Sequence, residues 1–156
     1  AACAAMPRMR CGGRVPGVEV QIERRVAAPP DAVFAIISDP SRREQWQSGT
    51  TDVGPVSPTP VAVGSRWSET QQGVGRVEIE VVGLEPGRLW AEAGEADAGR
   101  ASVRVELAPD GDGTLLSVAV ELKLRGAMRF AERALGPVVR KRTEADMDRL
   151  EELAAG

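Results

Sequence analysis

Histidine and tyrosine are absent from the 156 residues, and their absence removes most familiar catalytic apparatus at once. Without histidine there is no Ser-His-Asp triad, no Cys-His pair and no histidine-ligated zinc. A general acid or base has to be a carboxylate, or one of the two lysines, Lys123 and Lys141. Aromatic residues are scarce: Phe34, Phe130, Trp46, Trp67 and Trp90 are all there are. Cysteine is confined to Cys3 and Cys11, which form neither a disulfide framework nor a metal-ligand spacing, so a reducing, cytoplasmic setting is expected. No metal and no cofactor is expected either. No stretch approaches the ~20 consecutive apolar residues of a membrane span. With 20 basic and 23 acidic residues, a net charge of −3, the chain is not built to coat nucleic acid.

What is present is mostly space-filling: 22 Ala, 19 Val and 10 Leu. A chain of this length reads as one compact domain with enough core to fold unaided. Residues 1–16 contain three arginines, no acid and no periodicity, and Pro7, Arg8 and Arg10 interrupt any signal-like apolar run. They are expected to be a disordered leader that packs against nothing, leaving 17–156 as the domain.

From Gly17 onward the pattern changes. Val18, Val20, Ile22 and Val26 alternate with polar residues, as a half-buried strand does. Pro29-Pro30-Asp31 ahead of Val33, Phe34, Ile36 and Ile37 predicts a short helix, stopped at Asp39-Pro40. Ser41 is placed as the cap of a second short helix carrying Trp46. Prolines 55, 58 and 60 leave room for at most an edge strand. Alternating strands follow around Trp67, Ile79, Leu89 to Ala93, Val103 and Val118, with a turn over 94–100. Asp110-Gly111-Asp112-Gly113 is a hairpin signal. It resembles a calcium loop only superficially, because the downstream ligand spacing is missing. Met128, Ala131, Leu135, Val138 or Val139, Arg142, Asp146, Leu150 and Leu153 recur at helical spacing, which predicts one long helix over 126–153, kinked at Gly136-Pro137.

An antiparallel sheet with one apolar face needs a cover, and the last helix is the only long amphipathic element available. The fold class is therefore α+β: a curved antiparallel sheet of about six to seven strands around a long C-terminal helix, with two short helices after strand 1. This arrangement resembles the START-like helix-grip fold, and more narrowly the polyketide cyclase/dehydrase and lipid-transport (SRPBCC) family. The resemblance spans about Val18 to Leu153. It is carried by Val26-Ala-Ala-Pro-Pro-Asp-Ala-Val33-Phe34 running into Ser38-Asp39-Pro40 and Trp46, and by Gly64-Ser-Arg-Trp67 with Val82-Gly-Leu84-Glu85-Pro86-Gly87-Arg88-Leu89. Leu135-Gly136-Pro137, Arg140 to Arg142 and Asp148-Arg149-Leu150 complete it. These motifs are structural and include no catalytic signature. The family holds aromatase/cyclases, lipid carriers and hormone receptors, so the resemblance implies a partner that is a small hydrophobic molecule without naming it.

Strand parity places Val77, Ile79, Val81, Val103, Val105, Val118 and Val120 on the inner face. Either they form a solid valine core or they line a cavity. Valine and the helix's Ala131 and Ala134 are too short to fill the space, which predicts an apolar cavity of roughly 300 Å³ or more with Trp67 at its wall. The expected ligand-contacting set is Trp67, Glu69, Ile79, Val81, Val103, Val105, Val118, Val120, Met128, Leu135 and Arg142. Glu69 is a weak candidate acid, since burial would raise its pKa. The preferred reading leaves it in water, because glutamate is rarely buried unpaired. Arg142 could neutralise a ligand carboxylate or a buried Glu69; the preferred reading lays its stem on the helix stripe and keeps its head wet. Trp46 reads equally as a gate or a packing anchor. Trp90 has ambiguous parity and no assigned role. The expected function is binding of a small hydrophobic ligand. A cofactor-independent cyclase or dehydrase, and an interaction domain with a collapsed cavity, are the alternatives.

Overall fold

The computed structural model describes residues 17–156; the expectation for residues 1–16 lies outside the described residues. Seven strands form one antiparallel sheet: β1 (Val18–Val26), β2 (Thr50–Thr51), β3 (Arg66–Gln71), β4 (Gly75–Glu85), β5 (Leu89–Ala96), β6 (Gly99–Asp110) and β7 (Gly113–Leu124). Their order across the sheet is β1-β7-β6-β5-β4-β3-β2. The five hairpin-connected strands from β3 to β7 are successive neighbours, as short turns require. The first strand closes the far edge by pairing with β7, Val20 opposite Val120 and Ile22 opposite Val118. The connection predicted as a turn over 94–100 is tighter than that. β5 runs to Ala96 and β6 begins at Gly99, because the backbone pairing of Ala96 with Gly99 extends the hairpin to its tip.

Between β1 and β2 lie α1 (Pro30–Ile37), a 3₁₀ turn over Pro40–Arg42 and the single-turn α2 (Arg43–Trp46). In α1, Pro30 is pre-organised for the first turn. Its buried face is Val33, Phe34, Ile36 and Ile37. The cap ahead of α2 is Asp39, not Ser41. The Asp39 carboxylate accepts from the Ser41 N–H at 3.0 Å and from its hydroxyl at 2.6 Å. An acceptor one residue upstream of the proline reaches the free amide just inside the turn, and Ser41 stands inside that turn as the donor.

The closing helix α3 spans Glu132–Ala155 and continues through Pro137. The predicted single helix from 126 is corrected: Gly126–Ala131 winds as a 3₁₀ turn. Three residues per turn do not continue the 3.6-residue stripe, so Met128 is 52% exposed and Ala131 faces out; Ala134, in the first turn of α3, is exposed as well. The buried stripe starts after them, with Leu135 and Val139 against Val18, Val20 and Ile22, then Met147 and Leu150 in the main core. Val138, the alternative to Val139, is exposed. Arg24 of β1 ties the helix down through Asp148 at 2.5 Å and Glu151 at 3.5 Å. The main core joins α1, Trp46, Trp67, Val81, Trp90, Leu107 and Leu116 to Leu150 beneath α3. The fold is the expected α+β helix grip. No helix among the described residues is long and apolar enough to cross a membrane.

Leu150 is wholly buried where the helix meets the core. Leu150→Ala is expected to cost about 2–5 kcal/mol of unfolding free energy. Val138→Ala on the exposed side of the same helix should stay within about 0.5 kcal/mol. Urea denaturation of the two variants checks both.

Candidate functional site

Two strands carry the same short pattern, Trp67-Ser-Glu69 on β3 and Trp90-Ala-Glu92 on β5. Because strand side chains alternate, each Trp and its Glu point to the same face, here the inner one. All four side chains are buried. Two carboxylates so placed need a cation, and α2 supplies it. Arg43 lies 1% exposed above β4, between the two glutamates.

Its guanidinium is gripped twice. Along one edge Nε donates to Glu69 Oε2 at 2.7 Å and Nη2 to Glu69 Oε1 at 3.1 Å. Along its end Nη1 donates to Glu92 Oε2 at 2.8 Å and Nη2 to Glu92 Oε1 at 2.9 Å. Such forked, charge-assisted pairs are the strong kind of hydrogen bond. The indoles complete the network: Trp67 Nε1 donates to Glu69 at 2.9 Å and Trp90 Nε1 to Glu92 at 2.8 Å. Gln71 adds a 2.8 Å bond to Glu69 Oε1. The Trp67 ring lies under the guanidinium, 5.1 Å from its carbon, a cation–π contact in a desolvated place. Burial pushes the Glu69 carboxyl up, but the Arg43 charge and the bonds from Arg43, Gln71 and Trp67 outweigh it and hold the group below its ordinary range. Burial also opposes the charge on Arg43, and the two carboxylates overcome it and raise its pKa.

Beside this cluster, between sheet and α3, is a cavity of about 230 Å³. Its apolar walls include Ile79, Val103, Val105, Val118 and Val120 from the sheet and Met147 from the helix. Gly94 keeps one wall thin; a Cβ there would press on Ile79 Cδ1 at 3.1 Å and Val77 Cγ1 at 3.2 Å. At the polar end are Arg43 and Glu92, with Gln71, Arg142 and Asp146. Trp46 also lines the cavity, 5% exposed, and its indole N–H has no hydrogen-bond partner among the described residues.

The helix side of that end is clasped to the loop after α2. Arg142 donates from Nη2 to the Ser48 carbonyl at 2.6 Å, from Nε to the same oxygen at 3.0 Å, and from Nη1 to the Gln72 carbonyl at 3.3 Å. Asp146 accepts from the Ser48 N–H at 2.7 Å and its hydroxyl at 2.6 Å. Burial raises the Asp146 pKa, against the lowering effect of these Ser48 bonds. Gly49 makes the clasp possible. Its φ of +76° suits glycine, and a Cβ there would collide with Arg142 Nη2.

A family model described as polyketide cyclase/dehydrase and lipid transport matches residues 17–155. The chain belongs to this family. Among solved structures it is similar to the protein CV1439 of Chromobacterium violaceum, at 19% identity and a TM-score of 0.67, over 88% of this chain and 97% of that one. Similarity to TTHA0849 of Thermus thermophilus is the same in all four figures: 19%, 0.67, 88% and 97%. It also resembles StfQ, a di-domain ARO/CYC from the steffimycin biosynthetic pathway, at 11% identity and a TM-score of 0.73, over 89% of this chain and 51% of that one. At these identities the likeness is one of fold. No match is found among curated proteins.

Within this family member, the residues singled out by sequence divide into three groups. Ile79, Val103, Val105, Val118, Val120 and Arg142 border the cavity together. Trp67, Glu69 and Val81 are buried on the inner face but lie outside the cavity wall, because Arg43 covers the first two and the core closes over the third. Leu135 packs on the β1 cluster, and Met128 is half-exposed in the 3₁₀ turn. The solvated reading of Glu69 is overturned: the residue is 1% exposed and fully paired, so the argument that a lone glutamate avoids burial does not apply. Arg142 does not meet Glu69, and three of its five N–H hydrogens go to backbone carbonyls. The cavity is smaller than the ~300 Å³ expected, since the space nearest Trp67 is filled by the Arg43 side chain. Arg43 and Glu92 were missed. The signal for them was the repeated Trp-x-Glu spacing, together with Arg43 and Trp46 three apart on one helical turn.

Arg43→Met leaves two buried carboxylates without their cation. It is expected to lower unfolding free energy by about 3–5 kcal/mol at pH 7. In the wild type, the stabilisation from the depressed Glu69 carboxyl is complete above its unfolded pKa, about 4.3, and is lost as pH falls through the lower folded value. The gap between wild type and variant should therefore narrow below about pH 4. Chemical denaturation across pH 3–7 reads it, and a gap independent of pH would refute this account.

Proposed function

We propose that this domain binds a small hydrophobic molecule in the cavity between its sheet and α3. The observation that carries the reading is the cavity itself, about 230 Å³, whose apolar wall is richest in valine and whose border includes charged residues. Genuinely apolar cavities of about 150 Å³ stay dry and accept a benzene. On that scale this one has room for a fused ring pair or one ring with a short tail. A cavity with apolar walls and few polar groups at one end is the usual form of a small-molecule site. Family membership supports the same reading, since the family joins polyketide cyclases and dehydrases to lipid transport.

The acid that the sequence offers to the enzymatic alternative does not face the cavity. A cyclase or dehydrase built on this site would draw on Glu69, but that carboxylate is held ionised beneath Arg43 and away from the cavity. Each of its oxygens already accepts two hydrogen bonds. Its place is architectural, and the cavity supports the binding reading.

Val105 is buried at the cavity wall, opposite Trp90 in the strand register. Val105→Trp should weaken binding of a naphthalene-type fluorescent probe at least tenfold while far-UV circular dichroism stays native. Should overpacking unfold that variant, Ala101→Phe, at a partly exposed position of the same wall, serves in its place. A wild type that binds no such probe would overturn the proposal.

A further inference from the structure

The first turns of α3 and the 3₁₀ turn before them carry an outer surface that neither the core nor the cavity uses. Among the described residues, half of the exposed large apolar side chains fall within 128–138: Phe130 at 81%, Val138 at 58% and Met128 at 52%. Scattered single cases are ordinary, but a cluster of them marks an interaction surface. On α3 the exposed residues Arg133, Ala134, Pro137, Val138 and Lys141 recur at helical spacing, opposite the packed stripe of Leu135 and Val139. Past Lys141 the same side carries Glu144 and Asp148, so the patch ends there.

Positive charge is concentrated in the same stretch. Residues 125–142 hold six of the chain's 20 basic residues and one of its 23 acidic ones, Glu132. In a chain of net charge −3 the remainder is therefore strongly acidic. Glu132 is buried and accepts the Leu124 N–H, so it does not offset the cations at the surface. Arg125 is held by Glu95, Arg140 lies 3.9 Å from Glu144, and Arg142 belongs to the Ser48 clasp. Arg129, Arg133 and Lys141 make no ion pair among the described residues. The Arg129 guanidinium instead lies 5.3 Å from the centre of the Phe130 ring.

We propose that this patch docks on the surface of an anionic lipid bilayer. Phe130, Met128 and Val138 enter the headgroup boundary, and Arg129, Arg133 and Lys141 meet the lipid anions. Apolar side chains set among cations are the composition of segments that lie in a membrane interface. Each cation close to an anionic membrane adds about fivefold in affinity. The acidic remainder of the chain is repelled by that membrane, which leaves this side as the one to face it. A nucleic acid would use the cations but would give Met128 and Val138 nothing apolar to enter. The cavity lies under the inner side of the same helix, where Val139 and Leu122 line it. The docking surface goes beyond the binding function proposed above and does not depend on it.

Vesicle co-sedimentation of the full chain tests it, using phosphatidylcholine alone or with about 30% phosphatidylglycerol, at about 50 and about 500 mM NaCl. Binding to the anionic vesicles at the lower salt should be at least tenfold tighter than to the neutral ones, and should weaken at the higher salt. Phe130→Ser, and separately Arg133→Ser combined with Lys141→Ser, should each weaken it at least fivefold while far-UV circular dichroism stays native. Should one variant fail to fold, the other and the wild-type series decide. Residues 1–16 are unchanged in these variants, so adsorption through their three arginines would survive the substitutions and overturn the proposal. Equal binding to both vesicle types, or binding to neither, overturns it as well. A chain that ignores vesicles but binds a short DNA duplex would assign the patch to nucleic acid, and the bilayer proposal would fall.

Discussion

The guanidinium of Arg43 is held on two edges at once, by Glu69 from β3 and Glu92 from β5, with an indole beneath it and an indole N–H on each carboxylate. Ion pairs taken out of water are costly, and their mutual attraction offsets that cost only when every polar atom finds a partner. Here every carboxylate oxygen does. The consequence is positional. A single turn of helix has no stability of its own, because nucleation costs more than one turn returns. α2 exists because Asp39 caps its approach and Arg43 and Trp46 are gripped by the sheet and the core.

Once α2 is placed, the rest of the cavity end follows. The chain leaving Trp46 must pass Ser48 under α3, where Asp146 takes its N–H and hydroxyl and Arg142 takes its carbonyl. The helix is thereby fixed at its middle by this clasp and along its length by Arg24 and the β1 valines. A helix held at that height cannot settle onto the valines of β6 and β7, whose short side chains do not reach it. The cavity is the space left over. Its apolar walls come from β-branched residues chosen for strands, and its charged end comes from the network that holds α2. The same groups that stabilise the fold therefore set the electrostatic character of the space.

Strand alternation made the inner face of β4, β6 and β7 readable, and Ile79, Val103, Val105, Val118 and Val120 all border the cavity as parity placed them. The closing helix was readable from its 3.6-residue period from Leu135 on, but not over 126–131, where the backbone winds more tightly and Met128 turns out to solvent. Arg142 was correctly seen near the apolar stripe, yet its partners, Ser48 and Gln72, are backbone carbonyls 94 and 70 residues away in sequence. No pattern of side chains announces a carbonyl.

Period and parity are local properties, since each depends on how neighbouring residues of one segment share a face. For that reason the order of strands and helices, the antiparallel hairpins and the apolar inner surface follow from the amino-acid order alone. The fate of a charge depends instead on whether an opposite charge arrives from elsewhere in the chain. Glu69 looked destined for water because burying a lone carboxylate is prohibitive. It is buried because Arg43, 26 residues earlier, reaches it, and because Glu92 holds that arginine from the other side. Only the tertiary structure brings those three together, and with them it decides where the cavity ends, how large it is and which charged groups border it.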